Sequence, residues 1–528
     1  MPTLHWIGKD KVVKHHHEVP FKTLRREYVH NAPEGTPENS TGNRIIHGDN
    51  LEALKALLPE FEGRVKCIYI DPPYNTGNEG WVYNDNVNDP RIQKWLHQVV
   101  GKEGEDLSRH DKWLCMMYPR LKLLHRLLAA DGVLLVSIDD VEVNNIRLVL
   151  DEIFGRFRFV SQLVWKARQH LDSRSVTGVS NDHEYVLVYS KTQGRIFAGK
   201  SRDESKYSNP DEDPRGPWMS RSMLGLATKA QRPNLHYELI DPKTNISYPC
   251  APETGWRYST DTMGTKISEG RIIFPKRPTG RPREKVFLAE LQMSAAGYPS
   301  TIDGIYTADG TAEIRAIFGS QLFDFPKPSD LIAELVSQVT DKDSIVLDSF
   351  AGSGTTAHAV LKLNAQDSGN RRFILTEMMD YAETITAERV RRVMNGYGED
   401  KKAVAGLGGS FEYYTIGEAL FDEDGNLNEA VPLEEIRRYV AYTEGVEYGL
   451  SGMSPYYIGH ANDAAYLFHY EPDRATALDY EFLNSLRFTE SARPTTLVVY
   501  ADNCLLSQDQ LRKHGIIFKK IPRDITRF

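Results

Sequence analysis

A doubly wound α/β fold is predicted for this chain of 528 residues, on three observations. Short, apolar, β-prone runs alternate with stretches of helical periodicity, as in a mostly parallel sheet covered by helices on both faces. Two strand ends are followed by polar corners rich in Pro or Gly, Asp71-Pro72-Pro73-Tyr74 and Phe350-Ala351-Gly352-Ser353-Gly354. Between them, over residues 191–320, the alternation stops and Pro, Gly, Ser, Trp and Tyr become frequent, which marks an inserted domain.

Residues 1–40 are polar and read as an N-terminal arm; the run His15-His16-His17 reads as solvated, since three consecutive imidazoles cannot all face one ion. Arg44–His47 is a short strand, and Leu51, Leu54, Leu57 and Leu58 share one face of the helix that follows. Asp49 or Asn50 caps that helix; Asp49 can equally point at a ligand beside Asp71. Val65–Ile70 is a buried strand, and Trp81–Asp85 form a loop over its end. A long helix is expected over Trp113–Ala130, bent at Pro119, then a strand over Val133–Ile138, a helix over Val143–Phe154 and a strand over Val186–Tyr189. Beyond the insert come a helix over Asp330–Val339, a strand ending at Asp348, a helix from Thr355, and a strand over Arg372–Thr376 tipped by Glu377. Near the C-terminus, Thr496–Tyr500 and Gly515–Phe518 read as strands around a helix beginning near Ser507.

Composition narrows the function classes. Hydrophobic content of 40% and charged content of 26% are ordinary for a soluble globular chain of roughly two to four domains. Neither a bilayer-length apolar run nor a signal-peptide pattern is present, so no membrane partner is expected. Four scattered cysteines, none at metal-ligand spacing, indicate a reducing, cytoplasmic setting without a metal centre. The net charge of −9 argues against indiscriminate nucleic-acid binding, but residues 191–290 carry 18 Lys and Arg against 12 Asp and Glu. Within them Lys276, Arg277, Arg281, Arg283 and Lys285 lie in a stretch broken by Pro and Gly, suited either to tracking a phosphate backbone or to a solvated surface loop.

The two corners carry the chemistry. Two prolines stop the strand before Asp71, because proline fixes φ and has no N–H for the ladder. Asp71, Pro72 and Tyr74 then sit past a strand's carboxyl end, where open α/β sheets bind ligands. A carboxylate oxygen of Asp71 and the Pro72 carbonyl are adjacent acceptors, able to hold the two N–H donors of an exocyclic base amine and free its lone pair. The Tyr74 ring can stack on the same base. The alternative is a simple strand-ending turn. At the second corner, Gly352 and Gly354 let a ligand approach the backbone, and an acid at the next strand tip, Glu377, can hold ribose hydroxyls. The missing third glycine argues against a dinucleotide.

With both centres in order, residues 40–395 resemble the amino-group DNA methyltransferases that use S-adenosylmethionine. Asp71-Pro72-Pro73-Tyr74 matches the catalytic tetrapeptide and Phe350–Gly354 the cofactor loop; their order is that of the β-class permutation. Asp71–Gly77, Asn84-Asp85, Lys112-Trp113, Tyr118-Pro119-Arg120-Leu121, Ser137–Asp140 and His183-Glu184-Tyr185 further resemble modification subunits of Type III restriction–modification systems. The resemblance implies a Rossmann-like methyltransferase domain whose catalytic half spans 41–190 and cofactor half 321–400. Because the basic insert over 191–320 interrupts the α/β pattern, it reads as a target-recognition domain, and the strands and helix near the C-terminus suggest a small α/β module over 401–528 for dimerisation or partner binding. Catalysis falls to Asp71, Pro72, Pro73 and Tyr74. S-adenosylmethionine falls to Asp348, Phe350, Gly352, Gly354, Thr355 and Glu377, with Asp49 near the adenine and Lys327 and Pro328 closing the pocket through main-chain contacts. Double-stranded DNA, a second copy and a restriction subunit are the implied partners, although the chain is shorter than many such subunits. Asp71 where cytosine enzymes more often have Ser favours N6 of adenine over N4 of cytosine; a DNA-recognition subunit without turnover is the alternative outside the enzyme class, and RNA the alternative substrate.

Overall fold

The structure, a computed structural model, describes residues 3–75, 106–173, 175–201, 203–250, 252–291, 295–449, 454–487 and 494–526. Thr76 and Gly77 of the first motif and the Trp81–Asp85 loop lie outside these residues. The chain forms two compact units, residues 1–197 with 299–528, and residues 198–298.

The larger unit is built on a ten-stranded sheet. Its strands are β1 (Lys22–Asn31), β2 (Asn43–His47), β3 (Val65–Ile70), β4 (Leu128–Ile138), β5 (Phe159–Lys166), β6 (His183–Ser190), β7 (Thr301–Ile302), β8 (Ile345–Asp348), β9 (Arg372–Glu377) and β10 (Ser410–Ala419). Their order across the sheet is β1-β10-β2-β9-β8-β3-β4-β6-β5-β7. From β10 to β4 every neighbouring pair is parallel, while β6 runs antiparallel to β4 and β5. The central strands are buried on both faces, as their unbroken apolar runs require. Two chain segments about 280 residues apart therefore become neighbours: Val346 pairs with Cys67 and Leu347 with Ile68. The corners after β3 and β8 emerge side by side at the carboxyl edge of the sheet.

Helices cover the sheet in two layers. α1 (Asn50–Phe61), α2 (Asp106–Leu127) and α3 (Val143–Phe154) pack with Ile68, Ile70, Leu134 and Val136 in one core. α1 forms where expected because the Asp49 carboxylate accepts from the N–H groups of Leu51 and Glu52, while its leucines face inward. α2 carries Pro119 internally and starts ahead of Trp113. The second layer holds α4 (Thr307–Phe318), α5 (Ser329–Ser337), α6 (Thr355–Asp367) and α7 (Glu388–Asn395), which pack on one another. Val346, Phe373 and Leu375, alternating with the first-core residues, are fully buried on that side.

Three expected boundaries are corrected. The insert is residues 198–298 rather than 191–320, because β7 pairs with β5 and α4 packs on α7 within the larger unit. Residues 1–40 are not a solvated arm: β1 is an edge strand antiparallel to β10, and His15 and His16 are buried beside α2, where the Lys55 ammonium donates to the His16 carbonyl at 2.8 Å. Residues 401–528 do not begin a separate module at 401, since β10 completes the main sheet. A four-stranded sheet follows α8 (Leu433–Thr443): β11 (Tyr457–Ala461), β12 (Ala464–Phe468), β13 (Thr496–Ala501) and β14 (Ile516–Lys520), the last three parallel. α9 (Gln508–Lys513) lies between β13 and β14 in the chain and is capped by Ser507.

The smaller unit has a three-stranded antiparallel sheet of residues 272–273, 283–287 and 218–222, a helix over Thr260–Ser268, and a core of Met223, Leu239, Tyr248, Trp256 and Met263.

Candidate active site

The corner after β3 is held from three sides. The Trp113 indole N–H donates to the Pro73 carbonyl at 2.7 Å. Asn75 adopts a left-handed backbone (φ 60°), and its buried amide donates to Glu142, a carboxylate that also faces His110 and accepts from Asn145 at 2.8 Å. A turn pinned at Pro73 and Asn75 fixes the direction of the intervening Tyr74. The Tyr74 hydroxyl in turn donates to Glu184 at 3.0 Å. Glu184 reaches this edge because β6 is antiparallel to β4, so the start of β6 lies beside the end of β4, with Tyr185 opposite Ile138.

Asp71 lies beside this group. Its Oδ2 is 3.1 Å from the Lys327 ammonium, which is also 3.2 Å from Glu184. Its Oδ1 is buried and has no hydrogen-bond partner among the described residues. Burial pushes the Asp71 carboxyl above the usual carboxylate range, against the pull of the Lys327 charge. The Lys327 ammonium also lies 4.7 Å from the centre of the Tyr74 ring. A buried acceptor left open beside an oriented aromatic ring suits an incoming planar group bearing an N–H donor.

The second corner is shaped by its own acids. Asp348 Oδ1 accepts from the Phe350 N–H at 2.9 Å, and Oδ2 accepts from the Thr356 hydroxyl at 2.5 Å, so this carboxylate, pushed up to about 7 by burial, is spent on the loop itself. Gly352 and Gly354 have φ of 51° and 81°, and a Cβ on Gly354 would sit 3.0 Å from the Thr386 carbonyl oxygen. Glu377, buried at the tip of β9, accepts from the Gly352 N–H at 2.7 Å and the Met379 N–H at 3.0 Å; burial pushes its carboxyl up to about 7. The Thr355 hydroxyl accepts from the fully buried Arg389 guanidinium at 2.8 Å, as does Ser353. Asn50 donates to the Ser349 carbonyl at 3.1 Å, and Arg120 binds both Asn50 and Asp49. Asp49 thus serves as the cap of α1, beside the same corner. A glycine-lined strand-to-helix turn flanked by buried acids fits a nucleoside ligand bearing hydroxyl donors.

The residues expected at the two chemical centres are brought to one sheet edge, with two changes of role, the first being Asp348, which is spent on its own loop. Lys327 offers its side chain to Asp71, where only main-chain contacts were expected of it; Pro328 precedes α5 as its cap. Glu184, Trp113, Glu142 and Arg389 were not among the expected site residues. Glu184 and Trp113 lay inside quoted motifs, and an acid within the apolar run His183–Ser190 was the available signal.

The basic stretch of the insert divides. Lys276, Arg277, Arg281 and Arg283 are exposed. Lys285 departs from the expectation: it is buried, paired with Asp211 and, at 3.0 Å, Asp213, so its charge is neutralised within the unit. Arg283 and Lys285 lie on a strand, not in an irregular loop, and the Arg283 guanidinium donates to the Ser220 hydroxyl at 2.6 Å.

The family described as DNA methylase matches residues 65–388 of this chain. The Mod subunit of the Type III restriction–modification enzyme StyLTI of Salmonella typhimurium is 34% identical over 70% of this chain and 57% of its own length. The EcoPI Mod subunit of Escherichia phage P1 is 33% identical over 70% of this chain and 62% of its own. The Type II methyltransferase M.KpnI of Klebsiella pneumoniae is 32% identical over 65% of this chain and 82% of its own. The chain thus spans about three fifths of the two Mod subunits.

Proposed function

The chain belongs to the DNA methylase family, and on that premise we propose that it transfers a methyl group from S-adenosylmethionine to N6 of adenine in duplex DNA. The observation that carries this reading is the adjacency of β3 and β8, which sets the open Asp71 acceptor beside the Gly352–Gly354 turn. The cofactor, when bound, supplies a methyl group activated by a sulfonium, so no metal is needed. Gly352 and Gly354 admit its methionine part, and Glu377 accepts from its ribose hydroxyls. Asp71 Oδ1 and the Pro72 carbonyl hold the amine of a base flipped from the duplex, at a cost of a few kcal/mol, with Tyr74 stacked on its ring. Holding both reactants in attack geometry is the main catalytic task. Asp71 orients the amine and faces the positive charge that develops on it.

The smaller unit reads the target, with Lys276, Arg277, Arg281 and Arg283 facing phosphates. The chain acts as a modification subunit of a restriction–modification system in the cytoplasm, with a second copy and a restriction subunit as partners. Incubation with mixed-sequence DNA and methyl-labelled S-adenosylmethionine, then separation of nucleosides, should give label in N6-methyladenine that Asp71→Ala abolishes. Label in N4-methylcytosine would overturn the base assignment and keep the mechanism. No label, with cofactor and DNA both bound, would overturn the enzyme reading.

A further inference from the structure

Asp71 has two carboxylate oxygens, and the structure treats them differently. Oδ2 faces the Lys327 ammonium at 3.1 Å; Oδ1 is buried and without a partner among the described residues. The same ammonium faces Glu184 at 3.2 Å, and Glu184 takes the Tyr74 hydroxyl at 3.0 Å. Building on the methyltransferase reading above, we propose that Lys327 and Glu184 are positioning residues for methyl transfer. Lys327 saturates Oδ2 so that Oδ1 alone is offered to the target amine, and Glu184 holds both Lys327 and Tyr74 in place.

Geometry outside the four side chains supports this. Lys327 sits on a strap, residues 326–329, that lies flat on α4. A Cβ on Gly310 of α4 would fall 2.2 Å from the Pro326 carbonyl oxygen and 2.9 Å from the Lys327 carbonyl carbon, so only glycine permits that contact. Glu313, one turn further along α4, accepts from the Ser329 N–H at 3.1 Å and from its hydroxyl at 2.5 Å. The strap is therefore fixed on both sides of Lys327. The ammonium has Trp165 at 5.8 Å and Tyr74 at 4.7 Å from their ring centres, which removes water from the pair.

The charges fit the reaction. Two carboxylates and one ammonium leave a net negative site, which suits an amine gaining positive charge. Among the described residues, the charged and titratable groups facing Asp71 are Lys327, Glu184, Tyr74, Tyr69 and Asp348. Burial raises the Asp71 carboxyl; Lys327 and the Tyr74 hydroxyl pull it down, whereas Glu184 pushes it up. Removing Lys327 should therefore raise its titration and removing the Glu184 charge should lower it. A purely structural staple predicts no such opposition.

The test is single-turnover methyl transfer as a function of pH for the wild type, Lys327→Met, Lys327→Arg and Glu184→Gln, with cofactor and DNA pre-bound and melting curves run on each. Lys327→Met should slow transfer at neutral pH by at least about tenfold, as a misplaced reactant does, with the acid limb of the profile moved to higher pH. Lys327→Arg should recover part of the rate, and Glu184→Gln should move the acid limb to lower pH. Rates within about twofold of wild type, or acid limbs that do not move in opposite directions, would overturn the proposal. A wild-type chain that transfers no label overturns the methyltransferase reading instead. The positioning then stands or falls on a 13C titration of the Asp71 carboxyl, identified by its loss in Asp71→Asn: up in Lys327→Met and down in Glu184→Gln supports it, and no change overturns it.

Discussion

Under the proposed function, Glu377 is one buried acid that is structural and ligand-facing at once. Its two oxygens already hold the N–H groups of Gly352 and Met379, which shapes the turn, and the Met378 N–H and Tyr381 hydroxyl also bond to it, so a ribose hydroxyl would share these oxygens with donors of the loop. Burial raises its carboxyl to about 7, so near neutrality a fraction is protonated before any ligand arrives. Ribose hydroxyls donate to the ionised form, so their binding releases a proton below that value. Calorimetric affinity for S-adenosylhomocysteine should then tighten as pH rises from 5.5 to about 7, by up to roughly tenfold per unit, and level off above. Glu377→Gln should bind more weakly and lose this slope. A flat profile in the wild type would mean the hydroxyls go elsewhere. At this scale the sequence was informative about which residues meet and less so about what each does. Asp71, Tyr74, Gly352 and Glu377 stand out through their corners, but Asp348 is consumed by its own loop and Lys285 by Asp211 and Asp213. Such neutralisation depends on a partner far away in sequence, for Lys285 some seventy residues upstream, and no local pattern announces it.

Elements carry these side chains, and their visibility in the sequence follows their burial. β3, β8, β9 and α3 are legible because central strands buried on both faces become continuous apolar runs and a packed helix keeps its stripe. β1 is not: as an edge strand it exposes Arg25, Arg26 and Glu27, and its charges read as a polar arm although they guard an unpaired edge. β10 joins β2 in parallel across more than 360 residues, Phe411 beside Asn43, a pairing no window of sequence contains. α4 was assigned to the insert because its connection to β5 through β7 is also long-range. The α4–strap contact gives the element-scale prediction. Gly310→Ala must push the Pro326–Pro328 backbone away from the helix, costing about 1–3 kcal/mol in a chemical melt, as overpacking does. Because Lys327 rides on that backbone, transfer should slow more than S-adenosylhomocysteine affinity falls. Wild-type stability and rate in Gly310→Ala would show that the strap yields freely.

Across the whole molecule, the chain leaves the sheet after β6 and rejoins it at β7, and everything between Ala198 and Tyr298 is a unit with its own core. Composition located that unit to within about twenty residues, since small irregular folds held by ion-pair hubs such as Glu284 with Arg221 and Lys266 differ visibly from strand–helix alternation. The exit and re-entry points both belong to the larger unit: Ser190 ends β6, and Thr301 pairs beside Val164 of β5, one strand further out. Strand spacing and rise put them roughly 20 Å apart, a gap that a Gly/Ser linker of about ten residues spans. Replacing residues 198–298 by such a linker should therefore leave a cooperatively melting chain with S-adenosylhomocysteine affinity within about threefold of wild type, because every side chain of the two corners named above lies outside the excised segment. DNA affinity and its salt dependence should collapse together, since the exposed cations go with the unit. Arg277→Ala, Arg281→Ala and Arg283→Ala combined in the intact chain should give a graded form of the same loss. Retained DNA binding after excision would move recognition onto the larger unit, whereas loss of cofactor binding would make the smaller unit part of the active-site framework.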